Sequence, residues 1–223
     1  MAIVLSVNVG VPRENPWKPT GTTGIDKRPA DGPVDVHLPG PKGTGEVGLA
    51  GDRVFDVKHH GGPDAAVYAY AREDLDAWAA ELGHPLVDGA FGENLTTSGI
   101  DVNQARIGER WQVGARLVLE VSAPRIPCGT FQGWLGEQGW VARFNDRAKP
   151  GAYLRVVEPG PVAAGDAIEV VRTRSHDVTV ALMHRALTTQ RHRLAELEPA
   201  RDDLPAETVT LLDRRVQGSS GLG

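Results

Sequence analysis

Short runs in which apolar and polar residues alternate recur along the chain: IVLSVNV (3–9), VDVHL (34–38), VYAYA (67–71), RWQVG (110–114), RLVLEVS (116–122), AYLRVVE (152–158) and AIEVVR (167–172). A period of two is the signature of a strand with one face inward. In RLVLEVS, Leu117, Leu119 and Val121 fall on one face and Val118, Glu120 and Ser122 on the other. Glycine and proline punctuate the intervals, and many short strands separated by turn signals predict a mainly β fold, a barrel or a sandwich. Two helices interrupt the pattern. In REDLDAWAAELG, Leu75, Trp78, Ala79 and Leu82 recur at helical spacing, and Gly83 stands where a C-terminal cap belongs. TFQGWLGEQGW (130–140) is a second, weaker helix because of its glycines.

The character changes after Arg174. Val180, Met183, His184 and Leu187 have helical spacing, RHRLAELE (191–198) is short and charged, and Pro205 opens a last helix that is predicted to end at Gly218. The organisation expected is a β domain over residues 1–172 and a small three-helix subdomain over 173–223. The final SSGLG is expected to be mobile. No internal repeat or low-complexity tract is visible.

Composition narrows the function classes. Of 223 residues, 40% are hydrophobic and 24% charged, as in an ordinary globular protein. The formal charge of -5 disfavours a nucleic-acid surface. Basic islands at GIDKRPADG (24–32) and DVKHHGG (56–62) point instead to a small anionic ligand. The opening MAIVLSVNVG lacks a basic start and a cleavage site and reads as a first strand. No apolar run approaches the roughly 18 residues of a membrane span. The expected compartment is the cytoplasm, with no membrane partner. A single cysteine, Cys128, agrees with a reducing environment and excludes a four-cysteine iron–sulfur cluster in this chain alone.

Several stretches carry candidate chemistry. GTGEVG (43–48) has the spacing of a dinucleotide fingerprint, but prolines precede it and no helix follows, which argues against that use. In GLAGDRVFDVKHHGGPDAAVYAY, a tight polar turn and a ligand site are equally compatible with the residues. In the second case Asp52, Arg53, Asp56, His59 and His60 converge where Gly61 and Gly62 allow backbone amides to approach an anion. Neighbouring histidines point to opposite faces of an extended chain, so zinc is not expected. Glu93 and Asn94 of FGENLTTSG either cap a loop or bond a polar heterocycle. Cys128 follows a strand in a loop stiffened by Pro124 and Pro127. It is either a buried, inert hydrophobe or a thiolate favoured by Arg125. A thiolate there suits a soft metal centre, or a nucleophile paired with His59 or His60.

The segments GIDKRP, GLAGDRVFD, HHGGPDAAVYAY, FGENL, IGERWQVG, LEVSAPRIPC and GAYLRVVEPGPVAAGDAIEV, in this order over about residues 24–170, together resemble a MOSC domain, the module named after the C-terminal domain of molybdenum cofactor sulfurase. The likeness is greatest to the stand-alone bacterial type associated with N-hydroxylaminopurine resistance, which also carries a C-terminal three-helix unit. The resemblance implies a β-barrel that binds the molybdenum cofactor, with Cys128 as metal ligand and catalytic residue. It also implies reduction of N-hydroxylated bases and related compounds. Lys27, Asp52, His60, Glu93, Asn94 and Arg125 fall in the family's motif segments and are the candidate cofactor-binding residues. Gly129 departs from the family's commonest pattern, which has an aromatic residue after the cysteine. With no cluster motif or dinucleotide fingerprint in the chain, the electrons are expected from a separate reductase, and a homodimer is one expected assembly. The competing readings are a sulfur or cofactor carrier that uses Cys128 without turnover, and a cysteine–histidine hydrolase.

Overall fold

Each alternating stretch becomes a strand, and glycine, proline or a helix ends it. The structure, a computed structural model, describes residues 1–220, with side chains to Arg215. The strands are β1 (Ile3–Asn15), β2 (Gly21–Pro29), β3 (Val34–Val36), β4 (Val67–Ala71), β5 (Leu95–Ser98), β6 (Arg110–Val113), β7 (Leu117–Pro124), β8 (Ala152–Glu158), β9 (Gly160–Val162) and β10 (Ile168–Arg172). The α-helices are α1 (Arg72–Leu82), α2 (Gly129–Leu135), α3 (Trp140–Arg147), α4 (Val180–Leu187) and α5 (Ala206–Ser220). Pro63–Ala65 and Arg191–Asp203 are 3-10 segments. β2, β5, β9 and α3 were not expected from the sequence pattern.

Eight strands form one sheet in the order β10-β6-β7-β8-β4-β5-β1-β2, and β3 pairs with β9 separately. Only β4 and β5 run parallel, and α1 makes the crossover that such a pair requires. The closed barrel implied by the sequence is not seen, because the ladder ends at β10 and β2. A single bridge from Ile3 to Ala167 ties the start of β1 to the entry of β10. Pairing stops there because β2 takes that edge of β1 from Asn8 onward. The result is a mixed, sheet-dominated fold with several helices.

Two hydrophobic clusters hold it. In the first, Trp111, Leu117, Leu119 and Val121 of the sheet pack with Val180, Met183, Leu197 and Leu204, so the C-terminal helices share the sheet's core. The second is aromatic and lies beneath α1 to α3. Phe91 and Phe131 have ring centroids 5.1 Å apart, Phe131 and Trp140 5.4 Å, and Trp78 and Trp140 4.5 Å, mostly edge-on or tilted. Cys128 packs at the rim of this cluster. The stretch TFQGWLGEQGW is two helices rather than one, since Gly136 (φ 70°) ends α2 and Gly139 (φ 65°) precedes α3.

α5 continues through Gly218, beyond the end expected for it, to Ser220. The remainder of the stretch expected to be mobile, 221–223, lies outside the described residues. Among those residues no helix is long and apolar enough to cross a membrane.

Candidate functional site

β1 and β2 form a hairpin that faces the loop of residues 46–62 across a cleft of about 890 Å³, part of it open to solvent. β4, β8 and the segment after β7 supply its floor. Proline explains the last of these. Pro124 ends β7, Pro127 restricts the loop, and the chain turns at Cys128, the N-cap of α2.

Lys27, Asp52, His60, Asn94, Arg125 and Cys128 all line this one cleft. Glu93 does not. Its carboxylate is fully buried and accepts hydrogen bonds from the N–H groups of Gly89 (2.6 Å) and Phe91 (2.9 Å) and from the Thr96 hydroxyl (2.9 Å). It therefore caps its own loop, and the structure corrects its assignment to the cofactor pocket. His59 and His60 diverge as expected of neighbours: His59 is exposed and binds Asp56 at 2.8 Å, whereas His60 faces the cleft.

Lys27 and Asp52 form a buried ion pair. Asp52 also accepts from Asn94 Nδ2 (2.9 Å) and Gly10 N (2.9 Å). Asn94 is committed on both sides, because its Oδ1 accepts from Tyr68 N (3.1 Å) and its Nδ2 also reaches the Asn8 carbonyl (3.3 Å). This network stitches β1, β2, β4 and the 52–56 loop together, so Lys27 is a neutralised cation and not a free one. Burial pulls its ammonium below the ordinary value against the opposing pull of Asp52.

Arg125 differs. It is buried, donates to the Phe91 carbonyl (2.6 Å), and lies 3.9 Å over the Phe131 ring. Among the described residues no carboxylate pairs with it; its nearest ionisable neighbours are Tyr68, Tyr153 and Cys128. The half-buried Cys128 thiol responds to this setting. Burial pushes it up, but the hydrogen bond from His60, the Arg125 charge and the Phe131 N–H together bring it down to about 6, so it is mainly thiolate at neutral pH.

Sequence reasoning missed Tyr68 and Tyr153, which line the cleft beside Arg125 with rings 5.2 Å apart. Alternation in AYLRVVE places Tyr153 opposite Ala152 and Leu154, but it carries no sign that this face fronts a cleft. Arg53 also lines the cleft, exposed and with no partner among the described residues. At the mouth, Lys18 and Asp56 form an ion pair of 2.8 Å, and burial, Lys18 and His59 leave Asp56 at about 2.

What this arrangement offers is one soft donor in a preformed cleft, beside an arginine that no carboxylate among the described residues pairs with. Comparison with known proteins gives that chemistry a family. A MOSC domain match covers residues 56–169. The uncharacterized protein YflK of Bacillus subtilis (strain 168) is 33% identical over 183 residues, covering 82% of this chain and 79% of its own. A protein of Gibberella moniliformis named reductase is 30% identical over 173 residues, covering 76% of this chain but only 29% of its own. The crystal structure of YiiM from Geobacillus stearothermophilus superposes with a TM-score of 0.76 at 24% identity, over 96% of this chain and 99% of that one, which is a likeness of fold. The cleft and its thiolate thus sit on a recognised scaffold: this chain belongs to the MOSC domain family.

Proposed function

We propose that the cleft binds the molybdenum cofactor through Cys128 and that the protein reduces N-hydroxylated bases and related N-oxygenated compounds. The observation that carries this reading is the placement of the Cys128 thiol in the cleft beside His60 and Arg125, the latter without a carboxylate partner among the described residues. The residues fit such a group. One soft thiolate, with no second soft ligand among the described residues, suits a centre that brings its own sulfur ligands. Arg125, buried without a carboxylate, favours an anion beside it. Arg53 and the Gly61 and Gly62 backbone, all on the 46–62 loop that lines the cleft, suit a phosphate.

When bound, the cofactor supplies the two-electron chemistry of the reaction R–NHOH + 2e⁻ + 2H⁺ → R–NH₂ + H₂O. Cys128 holds the metal at a position made rigid by Pro127 and by the aromatic cluster behind it. His60, which lines the cleft and is hydrogen-bonded to the Cys128 sulfur, would be the residue to hold a proton for the departing hydroxyl oxygen. Tyr68 and Tyr153 offer flat walls on which a planar base stacks. Burial lifts the Tyr153 phenol, which therefore stays protonated.

The electrons come from a separate reductase. Membership of the MOSC family and the relative named reductase support an oxidoreductase role. The test uses protein expressed in a host that makes the cofactor and an N-hydroxylated purine as substrate. Turnover with a reduced viologen dye, and none with NADH alone, is expected. Full NADH-dependent turnover by the single chain contradicts the need for a partner, and no turnover with either donor contradicts the activity.

A further inference from the structure

Glu93 stands behind the cleft wall rather than on it, yet its hydrogen bonds lead to the thiolate. Its carboxylate receives Gly89 N–H, Phe91 N–H and the Thr96 hydroxyl. Thr96 is oriented in turn by Asn8 Nδ2 at 3.1 Å, and Asn8 by the Ser6 hydroxyl at 2.7 Å. The Phe91 peptide is therefore held from both sides, by Glu93 Oε2 at 2.9 Å on its own N–H and by Arg125 Nη1 at 2.6 Å on its carbonyl. Arg125 lines the cleft together with Cys128 and lies 3.9 Å over the ring of Phe131, in the helix that Cys128 caps. The same loop packs on the backbone of β2, since a Cβ on Gly89 would stand 2.4 Å from the Lys27 carbonyl oxygen.

We propose that Glu93 is a positioning residue: its carboxylate shapes the 89–91 loop so that the Phe91 carbonyl holds the Arg125 guanidinium against Cys128. Three donors converge on the two oxygens of Glu93, an arrangement that glutamine, with one acceptor oxygen and one N–H₂ group, cannot reproduce. The amide of Glu93→Gln turns an N–H₂ group toward one of them, and the loop must move to separate two donors. This inference rests on Cys128 being the functional thiolate, but its test needs no cofactor. A failure of the proposed activity is therefore distinguishable from a failure here.

The test is the rate at which iodoacetamide alkylates Cys128 at pH 7 in the cofactor-free chain, compared for the wild type, Glu93→Gln, Arg125→Met and the double variant. Each single substitution is expected to slow alkylation by roughly threefold or more, as the thiolate loses its cation. The double variant is expected to be no slower than Arg125→Met alone, because the effect of Glu93 travels through Arg125. A purely structural role for Glu93 would give a slowing that multiplies with that of Arg125→Met. That result, or a wild-type rate in Glu93→Gln, overturns the proposal. If Glu93→Gln does not fold, Thr96→Val removes one donor from the same carboxylate. It should slow alkylation in the wild-type background and not in Arg125→Met; the same slowing in both, or none in the wild type, overturns the proposal equally.

Discussion

Asn94 and Asp52 meet at the cleft floor, where the Asn94 amide donates at 2.9 Å to the carboxylate that also binds Lys27. The charge on Asp52 is tolerable in that buried position because every donor is present. Lys27→Met removes the cation and leaves the carboxylate buried, so it should lower stability by about 3 kcal/mol in urea denaturation. Lys27→Met combined with Asp52→Asn should recover part of that loss. A double variant as unstable as the sum of the two single ones would show that the pair is not coupled.

Opposing pH slopes are predicted for two buried groups. Burial, opposed by the Gly89, Thr96 and Phe91 donors, raises Glu93 from 4.5 to about 7. The folded chain binds this proton more tightly than the unfolded one, so the contribution of Glu93 is complete below 4.5 and is lost as pH rises through 7. Burial and the nearby Arg185 charge lower His184 from 6.5 to about 4. Its contribution is complete above 6.5 and is lost as pH falls toward 4. His184→Leu should therefore gain on the wild type in acid, by up to about 3 kcal/mol near pH 4 relative to pH 7. Glu93→Gln should gain on it as pH rises from 4.5 to 7. Urea midpoints across this range check both, and curves parallel to the wild type contradict them.

His60→Ala should move the pH dependence of Cys128 alkylation in the alkaline direction. The hydrogen bond from His60 is the largest of the influences that lower the thiol to about 6. Without it the inflection should rise by roughly one unit or more. An unmoved inflection assigns the lowering to Arg125 and the Phe131 N–H.

Two glycines with similar backbone angles should respond differently to alanine. Gly83, the cap of α1, has φ 76° and open space around it. Gly83→Ala should cost about 1 kcal/mol from the left-handed conformation alone. Gly89, at φ 86°, would place its Cβ 2.4 Å from the Lys27 carbonyl. Gly89→Ala should cost about 3 kcal/mol, because β2 must shift as well. Equal costs would remove the case for close packing of this loop on β2.

Much of the fold is legible where one face is buried. The alternation of AYLRVVE is matched by the burial of Ala152, Leu154 and Val156, and Gly83 ends α1 in the left-handed conformation. β2 is not legible because GTTGIDKRP has no apolar stripe; its hairpin with β1 holds it, and Ile25 is its one side chain in the aromatic cluster. LTTS (95–98) has no alternation to mark it as a strand, yet it is β5 and is largely buried, and its threonines bond to Glu93 and to the Tyr70 carbonyl. In the site, the motif segments brought Lys27, Asp52, His60, Asn94, Arg125 and Cys128 to one cleft. Glu93 was misread for a physical reason: a carboxylate next to glycine has the same sequence signature whether it faces a ligand or its own loop, and burial alone separates the two.

The most direct test of the central claim is elemental analysis of the wild type and Cys128→Ala, both purified from a host that makes the molybdenum cofactor, with Val171→Ala, at an exposed position of β10, as a control for handling. Wild type and control are predicted to carry molybdenum and Cys128→Ala to carry none. Molybdenum retained by Cys128→Ala at the wild-type level would contradict the assignment of this thiolate as the metal's ligand.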